Sequence, residues 1–176
     1  MSGKKATAKA NFEKTTREEA LPIAAALNQK LSEFCQTVTI AGSIRQGKEM
    51  VGDVDVVVIP KIHPAEFLEK CKTIIEYEYG GQKKIFGMFM GRPINIFVTN
   101  EESYGACMYQ MTGPMKYNLR MRMCAKRKGF KLNEYGLYNR ESGAYVAGKT
   151  ENDIFTAMGL TYRTPEQRRQ QVAKTK

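Results

Sequence analysis

The chain has 176 residues, 42% of them hydrophobic, and its 28 lysines and arginines exceed its 18 acids to give a net charge of +10. It is long enough to bury a core as one domain or two small ones, and no apolar run approaches the roughly 20 residues of a membrane span. The N-terminus MSGKKATAKA lacks the apolar segment of a secretory signal. Four scattered cysteines and a single histidine argue against a zinc site and for an intracellular, reducing location.

Residues 1–14 read as a basic disordered tail. TREE at 16–19 is a capping-box pattern, Thr16 with Glu19 three later, and the helix it opens carries Leu27, Leu31 and Phe34 on a core face. Pro22 predicts that this helix kinks or properly starts there. TVTIA at 37–41 reads as a strand, 42–52 as a loop, and 53–59 as a buried strand ended by Pro60. His63-Pro64 opens a second helix with Phe67, Leu68, Cys71, Ile74 and Ile75 on one side, which makes His63 a loop or cap residue rather than a catalyst. YGGQ is a turn, and KIFGMFM and INIFVT pair as strands around Gly91-Arg92-Pro93. A short helix over 101–111 ends at Thr112-Gly113-Pro114, a basic helix covers about 115–128, FKLNEYGLYN is a strand or hairpin, and a last short helix lies around 151–158 before GLTYRTP. The chain thus divides near Thr112 into a helix-backed sheet and a smaller, basic, more helical part.

Charge is concentrated in that second part. Between Ser103 and Asn133 there is no acid, but there are Lys116, Arg120, Arg122, Lys126, Arg127, Lys128 and Lys131. Such an unbalanced cluster points to a polyanionic partner. The basic stretches at the two termini read equally as solubility tails.

The chemistry-bearing feature is Asp53 and Asp55 at the start of an otherwise apolar strand. Side chains two apart share one face, and like charges so close are costly unless a cation sits between them. Magnesium, which prefers oxygen ligands and bridges to substrate phosphates, satisfies that demand. Upstream, Gly42 permits close backbone approach and Ser43 with nearby N–H groups suits phosphate oxygens. A solvated pair at a strand edge is the alternative at this point.

Longer stretches carry a resemblance. GSIRQGKEMVGDVDVVV, QMTGPMKYNLRMRMCAKRKGFKLNEYGLY and KTENDIFTAMGLTYRTPEQR, preceded by NFEKTTREEA, resemble in that order the DNA polymerase beta family (family X), and in architecture its minimal viral type. The resemblance implies an α+β fold: a nucleotidyltransferase palm built on a helix-backed mixed sheet at 15–111, and a small, mainly helical, basic subdomain with a hairpin at 112–176. It implies template-directed synthesis from a dNTP onto a primer 3′-OH in short gaps, no lyase step, two Mg²⁺ per site with Mn²⁺ able to substitute, gapped or primer-template DNA as partner, and a monomer without membrane contact. By the same resemblance Asp53 and Asp55 ligate the metals, and Gly42, Ser43, Arg45 and Gly52 belong to the triphosphate loop. Gly113 and Asn118 border the sugar and base, and Arg122 lies against the template. Lys116, Arg120, Lys126, Lys128 and Lys131, chosen on charge, and Tyr135 in the hairpin are the DNA contacts.

The chain also departs from the family pattern. The third catalytic carboxylate, also a metal ligand, should stand at Asn95, where an amide coordinates weakly and cannot act as a base at neutral pH. Glu101 and Glu102 lie too far along the chain to replace it. Either Asn95 is a substitution that keeps shape while stopping turnover, or the natural protein is a slow or altered enzyme. Gln46 stands where the family has a second loop arginine, with Lys48 near enough to help, and Pro93 replaces another arginine. Gln110-Met111 replaces the aromatic pair that screens sugars, so strong rejection of ribonucleotides is not expected. The competing functions are a template-independent or RNA-acting nucleotidyltransferase and an inactive nucleic-acid-binding homologue. Gly113-Pro114 is predicted to be cis.

Overall fold

The computed structural model describes residues 12–174. In chain order its elements are β1 (Thr15–Thr16), α1 (Arg17–Ser32), β2 (Cys35–Ile40), α2 (Gly42–Arg45), β3 (Met50–Val51), β4 (Val54–Pro60), α3 (Pro64–Ile74), β5 (Glu76–Gly80), β6 (Lys84–Phe89), β7 (Arg92–Val98), α4 (Tyr104–Thr112), α5 (Met115–Arg127), β8 (Phe130–Asn133), β9 (Gly136–Asn139), β10 (Tyr145–Ala147), α6 (Glu151–Ala157) and α7 (Pro165–Ala173). Most of the expected N-terminal tail lies outside the described residues. Among those described, no helix is long and apolar enough to cross a membrane.

The capping box forms as read: the Thr16 hydroxyl accepts from the Glu19 N–H at 3.2 Å, and Glu19 Oε2 accepts from the Thr16 N–H at 3.0 Å. The helix therefore starts at Arg17, not at Pro22, which sits inside it. Pro22 lacks only the N–H that would reach the carbonyl of Glu18, an exposed residue whose oxygen water can serve. Burial of Ala20, Ala24, Leu27 and Leu31 on the opposite face holds the helix through that gap. His63 is the N-cap of α3, its Nδ1 accepting from the Ala65 N–H at 3.3 Å.

Five strands form a mixed sheet in the order β2-β4-β7-β6-β5, with β4 and β7 parallel and the other neighbours antiparallel. The two faces of β4 have different covers. Val54, Val56 and Val58 join Ile94 and Ile96 of β7 beneath α1 and α3. On the other face, Val57 and Phe97 pack against Cys107 and Met108 of α4. Both faces of the strand are thus apolar along most of its length, and Asp55 lies where the second cover stops.

A separate core, including Tyr109, Tyr117, Met121, Leu137, Ile154 and Phe155, holds the C-terminal part together. The hairpin expected over 130–139 is β8–β9, extended to three strands by β10. Helix α4 serves both cores: Ala106 and Tyr109 face the second, whereas Cys107 and Met108 face the sheet. The structure also differs from the sequence reading in several elements. The expected loop 42–52 contains α2 and β3, strand β5 follows α3 directly, Arg92 and Pro93 are inside β7 rather than in the turn, and the C-terminal basic stretch forms α7. Helix α7 was hidden because its anchor is a charged residue, Arg168, which is fully buried.

Candidate active site

Parallel pairing of β4 with β7 puts Asp55 opposite Asn95. Asp53, one residue before the strand, presents its carboxylate to the same point. The Asn95 amide donates to Asp53 Oδ2 at 3.1 Å and to Asp55 Oδ1 at 2.6 Å. Two carboxylate oxygens from different residues thus converge on one small donor. The like-charge problem posed by the sequence is met in this structure by an N–H₂ group, which supplies hydrogen bonds but no net charge.

Gly42 fits this floor closely. It has φ +58°, a region most residues avoid, and a Cβ built there would overlap the Asp55 carboxylate. Helix α2 thereby lies directly on β4. A cleft of about 540 Å³ opens above, floored by Asp53 and Asp55 and bordered on the loop side by Gly42, Ser43, Gln46 and Lys48. Gln110, Met111, Gly113, Asn118 and Arg122 close the other side, together with Thr112 and Met115. The peptide bond Gly113-Pro114 is cis, as expected.

Several anticipated residues lie elsewhere. Arg45 turns away from the cleft: its guanidinium binds Glu151 at 2.7 and 3.0 Å and the Thr112 hydroxyl at 2.9 Å. Glu151 is nearly buried and also receives Arg168 at 3.0 Å and the Tyr162 hydroxyl at 3.1 Å. Burial alone would raise its carboxyl, but Arg45 and Arg168 hold it below the ordinary glutamate range. Arg45 is therefore committed to joining α2 to α6 and α7 rather than to an anion in the cleft. Gly52 does not line the cleft. Lys116, Arg120 and Lys126 are exposed on α5, Lys128 at its C-terminal cap and Lys131 on β8. Tyr135, at the hairpin tip, reaches back to the sheet, where Lys83 sits over its ring at 4.8 Å. Glu101 bonds Gln36 at 2.7 Å and takes no part in the site.

Sequence reasoning missed Met115 and Thr112 as cleft residues. Met115 is 80% exposed at the start of α5; its signal was its place directly after the Gly-Pro turn. The carboxylate pair, an amide that can turn its oxygen inward, and the open space above them form an all-oxygen donor set, which fits a hard divalent cation.

The family model described as DNA polymerase beta thumb matches residues 107–169. The chain is 25% identical over 159 residues to a Repair DNA polymerase X of African swine fever virus, covering 80% of this chain and 86% of the viral protein. It is 28% identical over 155 residues to the DNA polymerase/3′-5′ exonuclease PolX of Bacillus subtilis, covering 84% of this chain and 27% of that larger protein. Among solved structures, Leishmania infantum polymerase beta in a ternary P/T complex superposes with a TM-score of 0.75 at 25% identity, over 89% of this chain and 77% of the other. The fold is thus that of a polymerase beta-like protein with a mixed sheet and an attached thumb. Along most of its length the chain is thus similar to DNA polymerases of family X, the DNA polymerase beta family.

Proposed function

We propose that this chain is a DNA-directed DNA polymerase that adds a deoxynucleotide to a primer 3′ end in short gaps, acting as a monomer on gapped or primer-template DNA. The observation that carries this reading is the convergence of Asp53 and Asp55 on one point at the floor of a cleft whose far wall is the basic subdomain. These two aspartates, with the oxygen of Asn95, are the residues that would hold two Mg²⁺ or Mn²⁺. Bound there, the ions supply positive charge to the triphosphate and acidify the primer hydroxyl.

The remaining work falls to the chain itself. Ser43 and Lys48 are placed to take phosphate oxygens, Gly113 and Asn118 to border the nucleotide, and Arg122 to face the template strand. Lys116, Arg120, Lys126, Lys128, Lys131 and Tyr135 offer contacts along the DNA backbone, which fix register without reading sequence. Residues 15–111 form the catalytic palm in this reading and 112–174 the nucleotide- and DNA-binding thumb. Asn95 cannot take the proton of the attacking hydroxyl, so that proton leaves to solvent and turnover is slow.

Primer extension on a duplex with a one-nucleotide gap tests this reading, with the templating base varied and the chain compared with its Asn95→Asp variant. The expected result is addition of the complementary dNTP alone, with the variant faster by about 10²–10⁴-fold. Extension that ignores the template base, or that proceeds equally on a single strand, contradicts it.

A further inference from the structure

The sheet face that carries the carboxylates is covered only in part. Over one half, Val57 and Phe97 lie beneath α4. The strand register shows what stands on the other half. Residues paired across neighbouring strands share a face, so Asp55 of β4, Asn95 of β7 and Phe86 of β6 form one row. Tyr79 of β5 completes it: it pairs with Phe86, and the two rings stack with centroids 4.6 Å apart and 19° between their planes. Met88 and Pro93 pair on the same face one step along.

A register shift in β5 between Tyr77 and Tyr79 makes this row aromatic. Tyr77 stands opposite Gly87, so in a regular ladder Glu78 would stand opposite Phe86. The shift moves Glu78 out of that position and brings a ring into it. Bulges of this kind re-aim side chains, and they concentrate at sheet edges and beside active sites. Core packing does not account for the rings. Ile85, Ile94 and Ile96 fill the opposite face of the sheet, whereas Tyr79, Phe86 and Met88 join none of the buried clusters among the described residues. Stacking on Phe86 supports the sheet edge, yet Tyr79 remains 50% exposed.

The position of the pair relative to the carboxylates decides its occupant. Gly42, which continues from β2, touches Asp55 from one side, and Ser43 and Lys48 border the cleft there. Asn95, Phe86 and Tyr79 lead away on the other side, in the strand order β4-β7-β6-β5. A triphosphate on the Gly42 side leaves this second side for the strand whose 3′ oxygen attacks. With strands about 4.8 Å apart, Phe86 and Tyr79 lie roughly 10 and 14 Å from Asp55 across the sheet. At a rise of about 3.4 Å per nucleotide, those spans reach about the third and fourth nucleotides from the 3′ end. The patch is ill suited to phosphate, because Glu76 pairs with Met88 on this face and only Lys84, two residues before Phe86, offsets it. The C–H face of a deoxyribose suits it.

We propose that Tyr79 and Phe86 form an apolar rest for the primer-strand sugars at about the third and fourth nucleotides, holding the 3′ oxygen over Asp53 and Asp55. The inference rests on the polymerase reading above and adds to it the residues that seat the primer.

The experiment is hydroxyl-radical footprinting of the primer strand in a one-nucleotide-gapped duplex saturated with the full chain, alongside titrations of the same DNA. The unchanged chain is expected to shield the third and fourth sugars, and Tyr79→Phe, which keeps the ring, to shield them equally. The double variant Tyr79→Ala/Phe86→Ala is expected to raise cleavage at those sugars at least about twofold while template-strand shielding persists. Its Kd is expected to rise at least about fivefold, the scale of burying one aromatic face, with an unchanged salt slope because no charge is removed. Melting curves report whether the variant folds, and the footprint of the unchanged chain needs no variant. Third and fourth sugars as reactive as in free DNA beside a shielded primer end overturn the proposal. So does a folded double variant with the footprint and Kd of the unchanged chain, which would make the rings a sheet-edge stack alone. Failure of the unchanged chain to shield any part of the primer strand instead overturns the polymerase reading beneath it.

Discussion

A single methyl group at position 42 would strike the Asp55 carboxylate, so Gly42→Ala probes the site at the scale of one atom. The backbone strain of a side chain at positive φ costs about 1–2 kcal/mol. Displacing Asp55 by even 1 Å is expected to lower nucleotide incorporation by roughly 10²-fold; incorporation unchanged within threefold would show that the close approach has no catalytic weight. The carboxylate pair, Gly42 and Ser43 were legible in the sequence because their geometry is set by strand alternation and a short loop. The cleft amides Gln46 and Asn118 were not legible in the same way. They acquire their orientation from carbonyls of α4, and for Gln46 that partner is 66 positions distant. Arg45 illustrates the same limit: its partner Glu151 lies 106 positions away, and nothing local distinguishes a guanidinium aimed at a phosphate from one aimed at a buried glutamate.

At the scale of elements, the carboxylate of Glu151 holds α2, α6 and α7 together through Arg45 and Arg168. Arg168 is fully buried, lies 4.9 Å from the Tyr109 ring, and leaves Nε and Nη1 unpartnered. Removing the Glu151 carboxylate, which among the described residues is the one paired with Arg168, leaves a buried charge without compensation. Glu151→Ala is therefore expected to cost about 3–5 kcal/mol, seen as a fall of roughly 6–20 °C in Tm; a loss under 1 kcal/mol would contradict the account. The pH dependence has a definite sign. Because the folded state holds this carboxyl below its ordinary value, its contribution is complete above the ordinary glutamate pKa, about 4.3, and is lost as pH falls through the lower folded value. Glu151→Gln should remove that share of the acid sensitivity, measured by denaturant unfolding between neutral and acid pH. Helices α1 and α3 were readable from caps and apolar spacing, and α5 as a basic segment following the Gly-Pro turn. Helix α7 was not, because its anchoring residue is an arginine, and a run rich in Arg and Gln reads as solvated until its buried partner is known.

Across the whole molecule, the thumb-like part is joined to the sheet by α4, and the acid-free segment puts Arg122 in the cleft wall and exposes Lys116, Arg120, Lys126, Lys128 and Lys131. With a net charge of +10, the proposed binding to gapped duplex is expected to be steeply salt-dependent, with each neutralised phosphate adding about 0.9 to the log–log slope. Replacing Lys126 and Lys128 together by Gln should reduce that slope by roughly 2 without altering which dNTP is chosen; an unchanged slope would remove α5 from the DNA path. The polyanion partner was visible in the sequence as a charge imbalance, whereas the reach of the Tyr135 hairpin to Lys83, just before β6, needed the packed structure. The account turns on Asp53 and Asp55 gripping divalent ions beneath a triphosphate. The direct measurement is anomalous scattering from crystals of the chain grown with gapped DNA, a non-hydrolysable dNTP and Mn²⁺. The account predicts Mn²⁺ at coordination distance, about 2.1 Å, from both aspartates and from the triphosphate oxygens. Mn²⁺ bound elsewhere, with the two aspartates still bridged by the Asn95 amide and the nucleotide remote from them, would contradict it.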